Sequence, residues 1–192
     1  MIENTVSAPF IDRSLRKVAD IPMINNKFVI GFLGKNYPHK NLGVFKEVDA
    51  IIKNKYKLDI GFLFSLDNEE MIDLGFDAYS NFYSCGTITN PQCPSFYEAI
   101  DLFVFPTLLE CFSAAPLEAM VSKVDVLASE RDFIKDVYGE NVIYFDPLNP
   151  NDIADKIYNH IHGEKIEKKK LNLNYNASTR ALAYCDLIRE LI

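Results

Sequence analysis

The sequence contains no apolar run approaching the roughly 18 to 20 residues a membrane span needs. Its start, Met1-Ile2-Glu3-Asn4, lacks the basic stretch followed by apolar residues that marks a secretory leader. The expectation is a soluble, cytoplasmic protein. Positive charge is scarce as well: 20 Lys and Arg stand against 27 Asp and Glu, giving a net charge of −7 and a pI near 5.0. Such a balance argues against nucleic acid as a partner, which needs a positive field, and leaves room for one small anion at a local basic spot. The four cysteines, 85, 93, 111 and 185, form no Cys-x-x-Cys pair. With apolar neighbours around Cys85 and Cys111 they read as reduced thiols. No Asp-x-Asp occurs, and His39, His160 and His162 stand at no metal-ligand spacing with cysteines or carboxylates, so a metal-independent chemistry is expected. Neither a Gly-x-Gly-x-x-Gly nor a Walker loop follows the first strand, and Ser113 lacks a Gly-x-Ser-x-Gly setting. These absences set aside dinucleotide oxidoreduction, P-loop phosphoryl transfer and elbow hydrolases.

What remains is rich in apolar residues, 48% of 192, enough for one substantial core. Apolar runs at 28–33, 60–64, 82–85, 102–105, 124–128 and 142–145 read as strands. Helical spacing is expected from Asn41 to about Lys53, briefly after Asp67-Asn68-Glu69-Glu70, and at 94–99 and 114–121. A further helix should run from Pro150 to about Ile161 with Asn149 as its N-cap, and a last one over 178–191. Repeated β-α-β units of this length imply a Rossmann-like α/β fold: a parallel sheet of about six strands with helices on both faces. Residues 1–26, with Pro9 and Pro22, read as an irregular lead-in, and 27–192 as one domain with C-terminal helices.

The segment Asp101 to Met120 ends one of the buried strands and opens a helix, with Glu110 and Glu118 on either side of the turn. In an open α/β sheet this is where ligands bind. The backbone N–H groups of Phe112, Ser113, Ala114 and Ala115 fall at the helix start, where they lack intrahelical partners and can receive a phosphate or sugar hydroxyls.

Taken in order, Tyr37-Pro38-His39-Lys40-Asn41-Leu42, Gly86 after a strand, Asp101-Leu102-Phe103-Val104-Phe105-Pro106-Thr107, Glu110 to Glu118, and Tyr144-Phe145-Asp146-Pro147 resemble a known domain. It is the C-terminal nucleotide-sugar-binding domain of retaining GT-B glycosyltransferases of family 4, the glycosyl transferases group 1. The resemblance covers roughly Phe28 to Ile192. It implies that Lys40 meets the diphosphate of a nucleoside-diphosphate sugar, with Lys35 joining it where the family commonly has Arg. It further implies Glu110 at the donor sugar near the reacting centre, Glu118 on the ribose hydroxyls, and Thr87 and Ile88 at the base. Ser113, Ala114 and Ala115 are assigned to the diphosphate, and Glu110, Cys111, Phe112 and Ser113 to the donor sugar. Relatives usually carry Glu-Gly-Phe-Gly where this chain has Glu110-Cys111-Phe112-Ser113, so the sugar pocket is expected to be reshaped. His39 is read as ordering the loop beside Lys40.

Each assignment has a plainer alternative. Both lysines can be ordinary loop charges, Glu118 a first-turn carboxylate worth about 0.3 to 1 kcal/mol against the helix dipole, and Thr87-Ile88 a plain loop. At the level of function the resemblance implies metal-independent, cofactor-free, retaining transfer of a hexose from an NDP-sugar, expected to be UDP-linked. The acceptor would be a surface polysaccharide, lipopolysaccharide or lipid-linked glycan. A GT-B enzyme has two domains, so an N-terminal acceptor-binding domain, in cis or in trans, is expected to complete it, to bring it near the inner face of the membrane, and to be required for turnover. Residues 4–12 resemble the interdomain linker. The alternatives are a nucleotide-binding half of a split or decayed glycosyltransferase and, behind it, an epimerase-like half.

Overall fold

The computed structural model describes residues 6–25, 27–110 and 113–163 together with Cys185, Asp186 and Arg189. Six parallel strands form its centre: β1 Phe28–Phe32, β2 Ile60–Phe64, β3 Phe82–Ser84, β4 Leu102–Phe105, β5 Asp125–Ser129 and β6 Ile143–Phe145. Their order is β3-β2-β1-β4-β5-β6. The helices are α1 Ala8–Ile11, α2 Val44–Ile51, α3 Asn68–Asp73, α4 Cys93–Glu98, α5 Ala115–Val121, α6 Asp132–Tyr138 and α7 Pro150–Ile161. This is the Rossmann-like sheet expected from the alternation of apolar runs and helical spacing.

Why β1, β2 and β4 are apolar along their whole length follows from register. Successive side chains point to opposite faces, and here both faces are covered. Phe62 and Phe64 share one face with Phe32, and the ring of Phe45 from α2 packs edge-on at 5.7, 5.3 and 6.4 Å from these three. Gly31 and Phe103 are register partners and so share the other face. There Tyr97 of α4 meets Phe103 at 5.6 Å. Gly31 makes this approach possible, since a Cβ at that position would lie 2.4 Å from Ile100 and 3.1 Å from Phe96. The helix α7 packs against α2 on the first face. It begins as the sequence implies, with the Asn149 side chain accepting from the N–H groups of Asn151 and Asp152 at 3.1 and 3.3 Å and Pro150 in the first turn.

Three elements differ from expectation. The stretch between β5 and β6 holds α6, which buries only Ile134 and Tyr138 fully, with Phe133 partly packed beside them, too short a pattern to register as periodic. Beyond Ile51, α2 widens into a π-helical turn, Ile52–Tyr56, and ends where Lys57 turns left-handed at φ 56°. The lead-in is also more than irregular: Val6 and Phe10 are buried. Arg16 donates to the carbonyl of Pro9 at 2.9 Å and pairs with Glu98 at 3.0 Å. The N–H of Ala19 reaches Ser95 Oγ at 2.9 Å. This segment is therefore docked on α4. The last helix expected over 178–191 falls on residues outside the described set, save Cys185, Asp186 and Arg189.

The β2 phenylalanines give a direct check on this core. Phe64 is fully buried, with the rings of Phe76, Phe45 and Phe82 at 4.8, 5.3 and 5.5 Å. Phe64→Ala should cost about 3 to 5 kcal/mol through lost burial and the cavity left behind, whereas Ile72→Ala on the exposed side of α3 should stay within about 0.5 kcal/mol of wild type. Urea unfolding of the two variants would measure both, and equal losses would contradict the packing described.

Candidate functional site

The strand order changes direction between β1 and β4, and in open α/β sheets the crevice at such a switch, beyond the carboxyl ends of the strands, is where ligands bind. Two loops meet there. After β1 the chain turns through a 3-10 segment, Pro38–Lys40, closed by Asn41, which adopts the left-handed conformation at φ 55° that asparagine tolerates. After β4, the buried Thr107 hydroxyl and the N–H of Leu108 both donate to the carbonyl of His39, at 3.1 and 2.7 Å. These bonds staple the β4 loop to the β1 loop and so bring Lys40 against Glu110.

The Lys40 ammonium donates to Glu110 Oε1, and both side chains are only 13% exposed. The same ammonium lies 5.2 Å over the ring of Phe105, a contact favourable to a cation. His39 Nε2 stands 3.9 Å from Glu110 Oε1, and the ring of Tyr37 stacks on His39 at 5.7 Å with planes 10° apart. His39 thus orders this corner, by its backbone as much as by its ring. A pair so little hydrated is costly to break by removing one partner, because the other charge is left uncompensated.

Lys35 lies in a different cluster. Its ammonium donates to Thr87 Oγ1 at 2.9 Å and stands 3.4 Å from both Asp67 Oδ2 and Glu70 Oε2. Glu70 accepts in addition from the N–H of Asn36 at 2.9 Å and, within the capping box that starts α3, from the N–H of Asp67 at 3.0 Å. The loops after β1, β2 and β3 are thereby tied together around one cation. Gly86, at φ +68°, occupies a backbone region open mainly to glycine, and its N–H is held by Ser84 Oγ at 2.9 Å. Thr87 is consequently presented to solvent, and Ile88 packs partly against the core.

Glu118 forms a third locus. It sits in the first turn of α5, only 7% exposed, and the hydroxyl of Tyr97 lies 3.2 Å from its Oε2 and 3.0 Å from the carbonyl of Ala115. Burial raises the pKa of the Glu118 carboxyl, while the Tyr97 hydrogen bond pulls it the other way. No ion pair reaches Glu118 among the described residues. Ahead of it, Ala114 caps α5, and the carbonyl of Ser113 accepts the hydroxyl of Tyr138 from α6. Cys111 and Phe112, assigned to the donor sugar, lie outside the described residues. Of the other thiols, burial pushes Cys85 up to about 11 and Cys93 up to about 12, so both stay protonated at neutral pH.

The structure therefore brings Lys40, His39 and Glu110 together, groups Lys35 with Thr87, and buries Glu118 apart from both, beside Tyr97. Three contributors escaped sequence reasoning: Tyr97, Tyr138 and the ring of Phe105. Phe105 was read only as strand. Tyr97 and Tyr138 carry the one available signal, a phenol placed on an otherwise apolar helix face, where a buried hydroxyl normally finds a partner.

Comparison with known proteins places the fold and the family. The capsular polysaccharide biosynthesis glycosyltransferase CapM of Staphylococcus aureus is 27% identical over 153 residues, which are 76% of this chain and 40% of CapM. Among solved structures, sucrose-phosphate synthase from Thermosynechococcus elongatus shares the fold at a TM-score of 0.72 and 16% identity, over 97% of this chain and 49% of its own. A mutant of S. aureus TarM, in complex with fondaparinux, alpha-GlcNAc-glycerol and UDP, is similar at a TM-score of 0.57 and 21% identity, over 77% of this chain and 32% of that one. The chain thus spans less than half the length of each of these relatives. A family model of the glycosyl transferases group 1 matches residues 27–162, from the start of β1 to the end of α7, and the chain belongs to that family.

Proposed function

We propose that this chain is the donor-binding domain of a retaining family 4 glycosyltransferase, which moves a hexose from a nucleoside-diphosphate sugar to a surface polysaccharide or lipid-linked glycan. The observation that carries the reading is the poorly hydrated Lys40–Glu110 pair at the sheet's switch point. A lysine so placed offers a fixed cation where a diphosphate would sit, and a carboxylate accepts from neighbouring sugar hydroxyls. As the bond between the anomeric carbon and the diphosphate breaks, negative charge grows on the leaving group, and Lys40 supplies the positive potential that meets it without a metal. Donor entry exchanges the Lys40–Glu110 contact for two others: ammonium to phosphate, and carboxylate to sugar.

Glu118 binds the ribose in this reading. A first-turn carboxylate acting only on the helix dipole has no need of burial, whereas this one is buried at a cost that the Tyr97 hydrogen bond offsets only in part. Thr87 and Ile88 hold the base through backbone contacts, and the N–H groups of Ser113, Ala114 and Ala115 receive phosphate oxygens. Lys35 contributes less to the diphosphate than Lys40, because Asp67 and Glu70 already neutralise it. The uridine preference is supported by the UDP bound to TarM. A polysaccharide acceptor is supported by the role of CapM. Turnover requires an acceptor-binding domain, in cis or in trans, since proximity of the reactants is worth about 7 to 11 kcal/mol. No helix among the described residues is long and apolar enough to cross a membrane, and any approach to the inner membrane face belongs to that other domain.

Calorimetric titration of the chain with UDP and with uridine tests the assignment of charges. UDP should bind in the range of about 10 μM to 1 mM. Lys40→Ala removes a charge-assisted contact of about 1.5 to 3 kcal/mol, so UDP should weaken by roughly tenfold or more with uridine unchanged, and Lys35→Ala should cost UDP less than about threefold. Equal losses for both ligands in the Lys40 variant would sink the diphosphate role.

Glu118→Gln separates function from stability. Both UDP and uridine should weaken, because the ribose is common to them. The folded protein holds Glu118 with its pKa raised above 4.5, so the wild type loses stability as pH rises through the carboxylate range and the glutamine variant does not. Its melting temperature should exceed that of wild type at pH 7, with the gain vanishing near pH 4. A lower melting temperature at pH 7 would mean that the carboxylate serves the fold rather than a ligand.

A further inference from the structure

We propose that Tyr97 is the positioning residue of Glu118: its hydroxyl holds one carboxylate oxygen so that the other faces the ligand. The proposal rests on the reading of Glu118 as the ribose-binding group and adds to it the element that orients that group.

The argument starts from proton count. The Tyr97 hydroxyl has one proton and two acceptors within reach, Ala115 O at 3.0 Å and Glu118 Oε2 at 3.2 Å. Ala115 is in the first turn of α5, and its carbonyl already has a helical partner four residues on. The carboxylate does not: burial has stripped it of water, and Tyr97 is the one hydrogen-bonding side chain found beside it among the described residues. With Glu118 ionised, the hydroxyl therefore donates to Oε2. With Glu118 protonated, the acid can donate to the phenol oxygen, and the hydroxyl then turns to Ala115. The direction of this one bond is tied to the charge of Glu118, which decides whether the carboxylate can accept from two ribose hydroxyls.

Tyr97 is itself held. It is 1% exposed, with the rings of Phe103, Phe96 and Phe10 edge-on at 5.6, 5.7 and 5.8 Å. Phe10 comes from α1, which lies outside residues 27–162, the part the family model matches. The segment ahead of the domain thus forms part of the wall that fixes Tyr97. The other titratable groups whose fields reach Glu118 are Cys93 of α4 and Tyr138 of α6. Burial pushes the thiol up to about 12 and the Tyr138 hydroxyl upward as well, so both are neutral near pH 7 and the Tyr97 bond is the local group that favours the carboxylate.

Tyr97→Phe keeps the ring and its packing and deletes only the hydroxyl. Two readouts on the 192-residue chain test the proposal. In the ligand-free protein, carbon-13 NMR of labelled glutamate carboxyls, with the Glu118 signal assigned from Glu118→Gln, should show the Glu118 midpoint rising in the Tyr97 variant. In calorimetry, UDP and uridine should both weaken by about threefold to tenfold, with their ratio unchanged and the acid limb of the binding profile moved to higher pH. An unmoved Glu118 midpoint overturns the proposal whatever the ligands do, and so does unchanged binding of both ligands in the variant. A moved midpoint in a protein that binds neither ligand, wild type included, would leave the Tyr97–Glu118 coupling standing and remove the ribose reading instead.

Discussion

Parallel pairing throughout a sheet places every strand's carboxyl end along one edge, and in this protein that constraint assembles the site. Lys40 follows β1, Thr87 follows β3, and Glu110 and Glu118 follow β4, so residues far apart in sequence arrive at the same rim without any long-range contact having to seek them out. What long-range contacts do is adjust the rim. The carbonyl of His39 draws in the β4 loop through Leu108 and Thr107, and the Lys35 ammonium draws together the loops of β1, β2 and β3. The sheet supplies proximity on the scale of a strand spacing, and these few bonds supply the rest.

The two lysines show how much burial decides what a charge can do. Lys40 and Glu110 face each other with little water between them, where electrostatic interactions are far less attenuated than at a surface. Lys35 remains 42% exposed among its carboxylates, and its interactions are correspondingly weak. Two residues of the same type in one loop thus differ in consequence: one is locked in a nearly dry ion pair, the other is a brace for the loop that carries Thr87.

How far the sequence revealed this depends on the range of each determinant. The strands were plain because residues such as Phe62, Leu63, Phe64 and Phe103, Val104, Phe105 are apolar on both sides, the mark of a sheet covered on both faces. The cap of α7 was equally local, written in Asn149 and Pro150. By contrast α6 fully buries just Ile134 and Tyr138, and Arg131 before it offers no side-chain cap, so neither period nor punctuation announced it. Lys35 stands so close to Lys40 in the chain that a shared ligand suggests itself, and only folding brings Asp67, Glu70 and Thr87 to it. Tyr97 owes its place to partners at 10, 103 and 118, none of which a local pattern could have supplied. The lead-in looked irregular for the same reason: what orders it is the surface of α4, not its own residues.

Gly31 has a consequence beyond strand packing. The absent side chain there sets how deeply α4 settles onto the sheet, with Ile100 and Phe96 filling the space a Cβ would take. Tyr97 lies on that same helix, so the depth of α4 is also the height of the phenol beneath α5. A single methyl group at position 31 would act as a shim, lifting the helix and with it the hydroxyl that reaches Glu118. A residue with no functional group at all thus bears on the placing of one that has.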